Sequence, residues 1–331
     1  MPIFNKNVGI MAKITETPPP HIVAEMEQFN KTLDTLLPSK QLDRNVLIGT
    51  WNLRAFGGLT EKWEASEKDS PKRDLHSILC IASILSRFDI IALQEVKGDL
   101  KAFRHTLKLL GPHWSFILTD VCKGAEGNDE RLAFLFDTRK VKLSGLACEL
   151  VIPNEQVQKI KEDAFNRQFA RTPYAVSFKV ANKTFILVTL HVLYGKKAAD
   201  RTPELQAIAQ WLKDWSMDIN AFDQSLIVLG DFNIDRQGDE RYQAFVSTGL
   251  KVPEDLHELR RTVYDHNAKF YDQIAWFENV QHVPQISLAY HTGGALDFGP
   301  HVLKSRNLTP SQLSWRISDH LPLWAEFLTL D

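Results

Sequence analysis

Cysteine is scarce in this chain: Cys80, Cys122 and Cys148 are the three present among 331 residues. So odd and sparse a set builds neither a disulfide framework nor a zinc cluster, and no HExxH or CxxC spacing occurs. There is no stretch approaching the roughly 20 apolar residues of a membrane-spanning helix. The opening segment, MPIFNKNVGIMAKITETPPP, lacks the apolar core of a secretory signal. These absences set the expectation of a cytoplasmic protein with no membrane anchor. Excess positive charge is missing too, with 39 Lys and Arg against 41 Asp and Glu, a net charge of -2 and a pI near 6.6. A uniformly basic surface for tight, nonspecific binding to a polyanion is thereby excluded. A local basic groove is still compatible with the sequence, with Lys97, Lys101, Arg104, Arg167 and Arg171 as candidates.

No Gly/Ser-rich or Pro-rich linker divides the middle of the chain, and no internal repeat is evident. With 44% hydrophobic and 24% charged residues, the composition suits a globular protein with a sizeable core. We read residues 1–45 as an N-terminal extension carrying one amphipathic helix, and residues 46–331 as the main domain. In that helix Ile22, Met26, Phe29, Leu33 and Leu36 recur at helical spacing and Pro38 supplies a stop. Helices are expected at 74–88, 99–110, 203–217 and 239–248. Strands are expected at 46–51, 89–93, 132–136, 141–150, 174–180, 184–190, 226–229, 271–277, 285–290 and 322–328. Asn182-Lys183 reads as a hairpin turn, and 120–130 and 152–172 as long loops. Interleaved strands and helices favour two packed sheets with helices outside.

What the chain does contain is a repeated pattern at the ends of its apolar runs. Leu226-Ile227-Val228-Leu229 leads into Gly230-Asp231-Phe232-Asn233, which brings a carboxylate and a carboxamide to one rim of a sheet. The run from Val46 to Trp51 ends in Asn52, and Ile90 to Leu93 ends in Gln94-Glu95. Phe185 to Leu190 ends in His191, and the C-terminal segment carries Ser318-Asp319-His320. Each residue alone has a local explanation: Glu95 as a helix cap, Asp231 as a turn residue, Asp319 as an N-cap. Capping does not require five strand ends to carry such groups together, so the set points to a site. Glu95, Asp231 and Asp319 are hard oxygen ligands, and Asn52 and Asn233 neutral ones, which suits Mg²⁺ or Mn²⁺ and disfavours zinc.

The ordered set WNLR, LQEVKGD, TLHV, GDFNID and SDHLP resembles the motifs of the endonuclease/exonuclease/phosphatase superfamily, over about residues 46 to 328. Within it the details are most similar to deoxyribonuclease I-like members, through His191 after the TL strand. The segment 129–134 resembles the one that supplies that histidine's carboxylate partner, here Glu130. Phe169 to Pro173 resembles a phosphate-contacting arginine motif centred on Arg171. Tyr271 to Ile274 resembles the segment whose Asp272 orients the last histidine.

The resemblance implies a four-layer α/β/β/α sandwich of two packed mixed β-sheets flanked by helices. It also implies Mg²⁺-dependent (or Mn²⁺-dependent) hydrolysis of a phosphodiester by in-line attack of water. The roles implied are Glu95, Asn52 and Asp319 at the metal; Asn233, Arg171 and Asn52 at the phosphate; and His191, His320, Asp231, Glu130 and Asp272 in catalysis. Nucleic acid is the expected substrate, with a small or lipid phosphoester, such as an inositol phosphate or a sphingomyelin-like lipid, as the alternative. No protein partner is inferred. A non-catalytic binding module is disfavoured because every motif position is filled. Lys97 reads equally as a substrate contact and as a solvated lysine at a helix start. His291 reads as structural, and Trp63, Trp114, Trp211, Trp215 and Trp276 as packing residues.

Overall fold

The computed structural model describes residues 13–151, 171–195, 201–218, 222–264, 269–279, 281 and 283–329. The first half runs α1 (Pro20–Leu36), β1 (Asn45–Phe56), α2 (Leu75–Leu85), β2 (Ile90–Lys97), α3 (Lys101–Leu110), β3 (Trp114–Leu118), α4 (Gly124–Gly127) and β4 (Glu130–Asp137). The hairpin strands β5 (Val141–Glu149), β6 (Tyr174–Val180) and β7 (Lys183–His191) follow, then α5 (Thr202–Met217), β8 (Leu226–Asp231) and α6 (Glu240–Val246). The chain closes with β9 (Leu250–Lys251), β10 (Asp272–Phe277), β11 (Ala289–Ala295), α7 (Pro310–Ser314) and β12 (Leu323–Leu328).

The strands form two six-stranded sheets, ordered β11-β12-β1-β2-β4-β3 and β5-β6-β7-β8-β10-β9. Both are mixed, because β1 lies parallel to β2 and β7 parallel to β8 while the other pairings are antiparallel. The period-2 alternation of a strand assigns each face. On β1, Val46 and Ile48 join the core between the sheets, whereas Leu47 and Trp51 join a second core beneath the helices. On β2, Ile90 and Ala92 face inward and Ile91 and Leu93 outward. The outer core is closed by Phe29 and Leu33 of α1, Leu75 and Ile78 of α2, and Phe103 of α3. Across the molecule, Leu205, Ile208 and Leu212 of α5 and Phe245 of α6 cover the second sheet. Helix, sheet, sheet, helix is thus the layer order.

Each fully buried Leu, Ile or Phe contributes about 1.5–3 kcal/mol. Phe134 of the first sheet packs its ring 6.0 Å from Tyr174 and 5.4 Å from Phe178 of the second, joining the two. Local signals start the helices. Asp74 caps α2 by accepting from Ser77 N at 2.9 Å, and Asp239 caps α6 by accepting from Tyr242 N at 2.8 Å.

Several expectations shift. The β6–β7 turn is Ala181-Asn182, not Asn182-Lys183, because Val180 pairs with Lys183 and Ala181 takes φ +52°. Leu36, expected on the apolar stripe of α1, is 43% exposed. The strand expected at 285–290 lies at 289–295 and takes in His291. β3 was not expected, since its residues show no alternation of burial at the sheet edge. Segment 120–130 contains α4, and Glu130 opens β4. Of the expected loop at 152–172, residues 152–170 lie outside the described ones, Arg167 among them.

Candidate active site

The parallel strands of both sheets end on one rim, and there the polar strand ends converge. Asn52 of β1 links the two sheets: its Nδ2 donates to Glu95 Oε1 (3.1 Å) on β2 and to Asp231 Oδ2 (2.9 Å) on β8. Glu95 is re-aimed by a bulge. The β2 registers shift between Leu93 and Val96, Glu95 takes φ +60°, and its Oε2 accepts from Ala55 N at 2.8 Å. A non-glycine residue in that region is strained, and such strain collects where a side chain must be aimed. On β8, Gly230 has φ +149°, and a Cβ there would lie 2.2 Å from Leu190 O, so only glycine lets β8 run against β7 at this point. Asn233 follows with φ +50°; its N donates to Asp231 Oδ1 (2.9 Å) and its Nδ2 to Val192 O (2.7 Å).

Two imidazoles approach Asp231. His320 Nε2 is 3.8 Å from Asp231 Oδ2, and His191 Nε2 is 3.5 Å from it. Behind His320, Nδ1 and Asp272 Oδ2 are 2.8 Å apart. Asp272 and Asp231 are direct partners in the antiparallel β8–β10 pairing, an opposition of like charges that an imidazolium between them relieves. Burial opposes charge on His320, but Asp272 and Asp231 outweigh it and hold the imidazole well above its ordinary range. Burial pushes the Asp272 carboxyl up to about 6, with His320 pulling the other way. Asp231 is held below the ordinary carboxylate range, since both imidazoles overcome its own burial.

Behind His191 stands Glu130, with N–O separations of 3.1 Å to His191 Nδ1, 2.6 Å to Arg171 Nε and 3.0 Å to Lys97 Nζ. Asn128 Nδ2 also donates to it, at 2.5 Å. The His191 and Arg171 approaches to Oε2 depart from good hydrogen-bond geometry, and Arg171 and Lys97 surround the carboxylate with positive charge. Burial raises the Glu130 carboxyl, but His191, Arg171 and Lys97 bring it down to about 2.

A cavity of about 500 Å³ opens over these groups. It is lined by Asn52, Glu95, Glu130, Arg171, His191, Asp231, Asn233, Asp319 and His320; Asp272 stands behind His320, fully buried. The structure thus brings the sequence candidates to one place, with two differences in detail. Asp319 lines the same cavity but is paired with Arg54 Nη1 at 3.4 Å, and Glu95 groups with Glu130 and His191, their ligand atoms within 4.8 Å of one another. Lys97 is partly buried against Glu130 at the end of β2, and Lys101 pairs with Glu61 at 3.1 Å. Asn52 Oδ1 is buried with no hydrogen-bond partner among the described residues. An orphaned amide oxygen beside carboxylates Glu95 and Asp231 is a hard-donor set that fits a divalent cation. Arg171 Nη1 is likewise buried without a described partner, as a donor awaiting an anion would be.

Sequence reasoning missed the supports. Arg73, Arg201 and Arg261 are at most 3% exposed. Arg73 donates to Arg54 O, Ala55 O, Arg316 O and Ile317 O, tying the end of β1 to the loop that carries Asp319. Arg201 joins Tyr194 O to Asn233 O, and Arg261 holds the carbonyls of Asp272 and Leu259. Ser318 Oγ donates to Asn52 O at 2.5 Å, and Trp51 Nε1 donates to His320 O at 2.8 Å. Beneath the site Gln94 Nε2 reaches Thr50 and, across the sheets, Thr189. Trp51, Gln94, Thr189 and Ser318 carried a signal as members of the motifs, whereas the three arginines carried none.

Two sheets ending in carboxylate-held imidazoles and oxygen donors define a class that acts on phosphate esters, and comparison identifies it. The model of the Endonuclease/Exonuclease/phosphatase family matches residues 49–320, and the chain belongs to that family. A curated relative from Thioalkalivibrio sp. (strain K90mix), named Deoxyribonuclease, is 26% identical over 312 residues, covering 90% of this chain and 75% of the relative. Among solved structures, the human Nocturnin catalytic domain with bound sulfate matches with a TM-score of 0.56 at 20% identity, over 86% of this chain and 95% of that one. A mannosyl-6-phosphatase of Bacteroides thetaiotaomicron matches with a TM-score of 0.56 at 19% identity, over 85% and 99%. At those identities the two structures show the shared fold. Membership makes the protein a hydrolytic enzyme of phosphate esters, and no described helix is long and apolar enough to cross a membrane.

Proposed function

We propose that this protein is a Mg²⁺-dependent phosphodiesterase that acts as a nuclease, hydrolysing a phosphodiester bond by in-line attack of water. The observation that carries the reading is the convergence of two carboxylate-backed imidazoles on Asp231, at 3.5 and 3.8 Å, inside a cavity that also holds oxygen donors. The name of the relative from Thioalkalivibrio supports a nucleic-acid substrate.

Glu95, Asn52 Oδ1 and Asp319 would hold the ion, which when bound neutralises charge on the phosphate or the leaving oxygen. The remaining work falls to the chain's own groups. Asp231, ionised between the imidazoles, takes a proton from the attacking water as the water oxygen bonds to phosphorus and the in-line bond to the leaving oxygen breaks. That oxygen takes its proton from one of the two imidazole groups. His320, kept as an imidazolium by Asp272, donates to a phosphate oxygen where negative charge accumulates. His191, steadied by Glu130, does the same from the opposite side. Arg171 Nη1 and the second amide hydrogen of Asn233 bind the remaining oxygens. These donors are fixed before substrate arrives, so little reorganisation opposes the reaction.

A small or lipid phosphoester is the competing substrate, favoured by the net charge of -2. Purified protein with Mg²⁺ should be offered plasmid DNA, RNA, bis-p-nitrophenyl phosphate and inositol phosphates separately. Cleavage of DNA or RNA supports the nuclease reading, turnover of inositol phosphates alone replaces it by the competing one, and turnover of none overturns both.

A further inference from the structure

Two aromatic rings are tied to the cavity, Tyr194 in the loop after β7 lining it and Trp315 at the end of α7 reaching it through Arg54, and each has a guanidinium against one face. On the first-sheet side, Arg54 of β1 lies 3.9 Å from the centroid of Trp315, which is 49% exposed. Arg54 is not a loose surface charge. Its Nη1 reaches Tyr264 Oη (2.8 Å), Ser314 Oγ (2.9 Å) and Asp319 Oδ2 (3.4 Å), so the stack is coupled directly to a carboxylate of the site. On the second-sheet side, Arg201 lies 4.2 Å from the centroid of Tyr194, which is 56% exposed and lines the cavity. Arg201 is held by Asn233 O (2.6 Å) and Asp235 Oδ2 (2.9 Å), so this stack too is coupled to the site.

We infer that Trp315 and Tyr194 are stacking platforms for the unpaired nucleobases on either side of the scissile phosphate, which makes the substrate a single-stranded polynucleotide. The inference rests on the nuclease reading and narrows it. A large, half-exposed indole held in place by a pinned arginine presents its remaining face to solvent at a hydration cost that a flat ligand removes. A guanidinium behind each ring favours an electron-rich π system in front of it, which every base offers. Flat groups on both sides of one phosphate describe a strand, whereas a sugar phosphate or an inositol phosphate occupies one side only. Bases paired in a duplex have their faces covered and cannot reach either ring. The near-neutral surface fits as well, because stacking supplies affinity that a broad basic field would otherwise provide.

The test uses fluorescein-labelled (dT)12 in EDTA, where no strand is cut, with anisotropy as the readout. Trp315→Ala and Tyr194→Ala should each weaken binding by about tenfold, and Trp315→Phe should keep most of the affinity. The losses should vanish on an abasic strand of the same length and charge, and (dT)12 annealed to its complement should bind more weakly than the single strand. Equal losses on the normal and abasic strands, no loss on either, or tighter binding of the duplex would overturn the inference. So would competition by a hexose phosphate as strong as that by thymidine 5′-phosphate, which would put a sugar on these rings. Turnover of bis-p-nitrophenyl phosphate by the wild-type protein with Mg²⁺ judges the hydrolase reading separately from the strand-binding result.

Discussion

His320 and His191 approach the same carboxylate, yet the groups behind them are built on opposite plans. Asp272 is fully buried on a strand paired with β8, lies 2.8 Å from His320 Nδ1, and is pushed up to about 6 by burial. Glu130 opens a strand, faces His191, Arg171, Lys97 and Asn128 together, and is brought down to about 2. The first carboxylate serves one imidazole, whose charge depends on it. The second is a hub where Lys97 of β2 and Asn128 before β4 meet Arg171 before β6 and His191 of β7. Losing the first should therefore leave an imidazole with the wrong protonation, while losing the second leaves cations that can still attract a phosphate.

The largest expected effect is at the dedicated pair. His320→Ala should lower kcat on bis-p-nitrophenyl phosphate by about 10³–10⁴-fold, and Asp272→Asn by nearly as much, without unfolding the chain. Losses of less than tenfold in either would remove His320 from the chemistry. At the hub, Glu130→Gln should lower kcat by about 10²-fold, and the Glu130→Ala, His191→Ala double variant should lose less than the sum of the single losses in free energy. Additive losses would mean that the two residues act apart. Lys97→Ala, which removes one of several cations, should cost tenfold or less, measured in the same assay.

Acid stability sharpens the contrast. Glu130 stays ionised down to about 2 in the folded chain, against 4.5 as its ordinary value. Its contribution is thus fully present above pH 4.5 and is lost as the pH falls toward 2. Urea unfolding of wild type and Glu130→Gln should differ by at most about 3 kcal/mol at pH 6, and the gap should narrow by pH 3. A gap that widens on acidification would reverse the sign argued here.

The layer plan and the rim positions could be read from sequence because each depends on a short local pattern: an apolar run of alternating faces, closed by a glycine or by a polar pair. Asn52, Glu95, His191 and Asp231 sit where such runs stop, and backbone pairing brings those stops together. The supports could not be read the same way. Arg73, Arg201 and Arg261 are buried because they bind main-chain carbonyls, and a carbonyl has no residue identity to match. The bulge that aims Glu95 depends on register against two neighbouring strands, a long-range fact with no local marker. β3 is an edge strand with little burial contrast, so periodicity is silent there. Trp315 carries no local signal, because the Arg54 against its ring lies 261 positions earlier in the chain.

The central claim is that the oxygen donors on this rim make hydrolysis depend on a divalent cation. It is tested most directly by turnover of bis-p-nitrophenyl phosphate after dialysis against EDTA, with Mg²⁺ then added back to wild type and to Glu95→Gln. The account predicts background rates without metal, full recovery of the wild type, and a Glu95→Gln variant that stays folded but needs at least about tenfold more Mg²⁺ to reach half of its own maximum. Undiminished turnover in EDTA, or identical Mg²⁺ titrations for the two proteins, would contradict it.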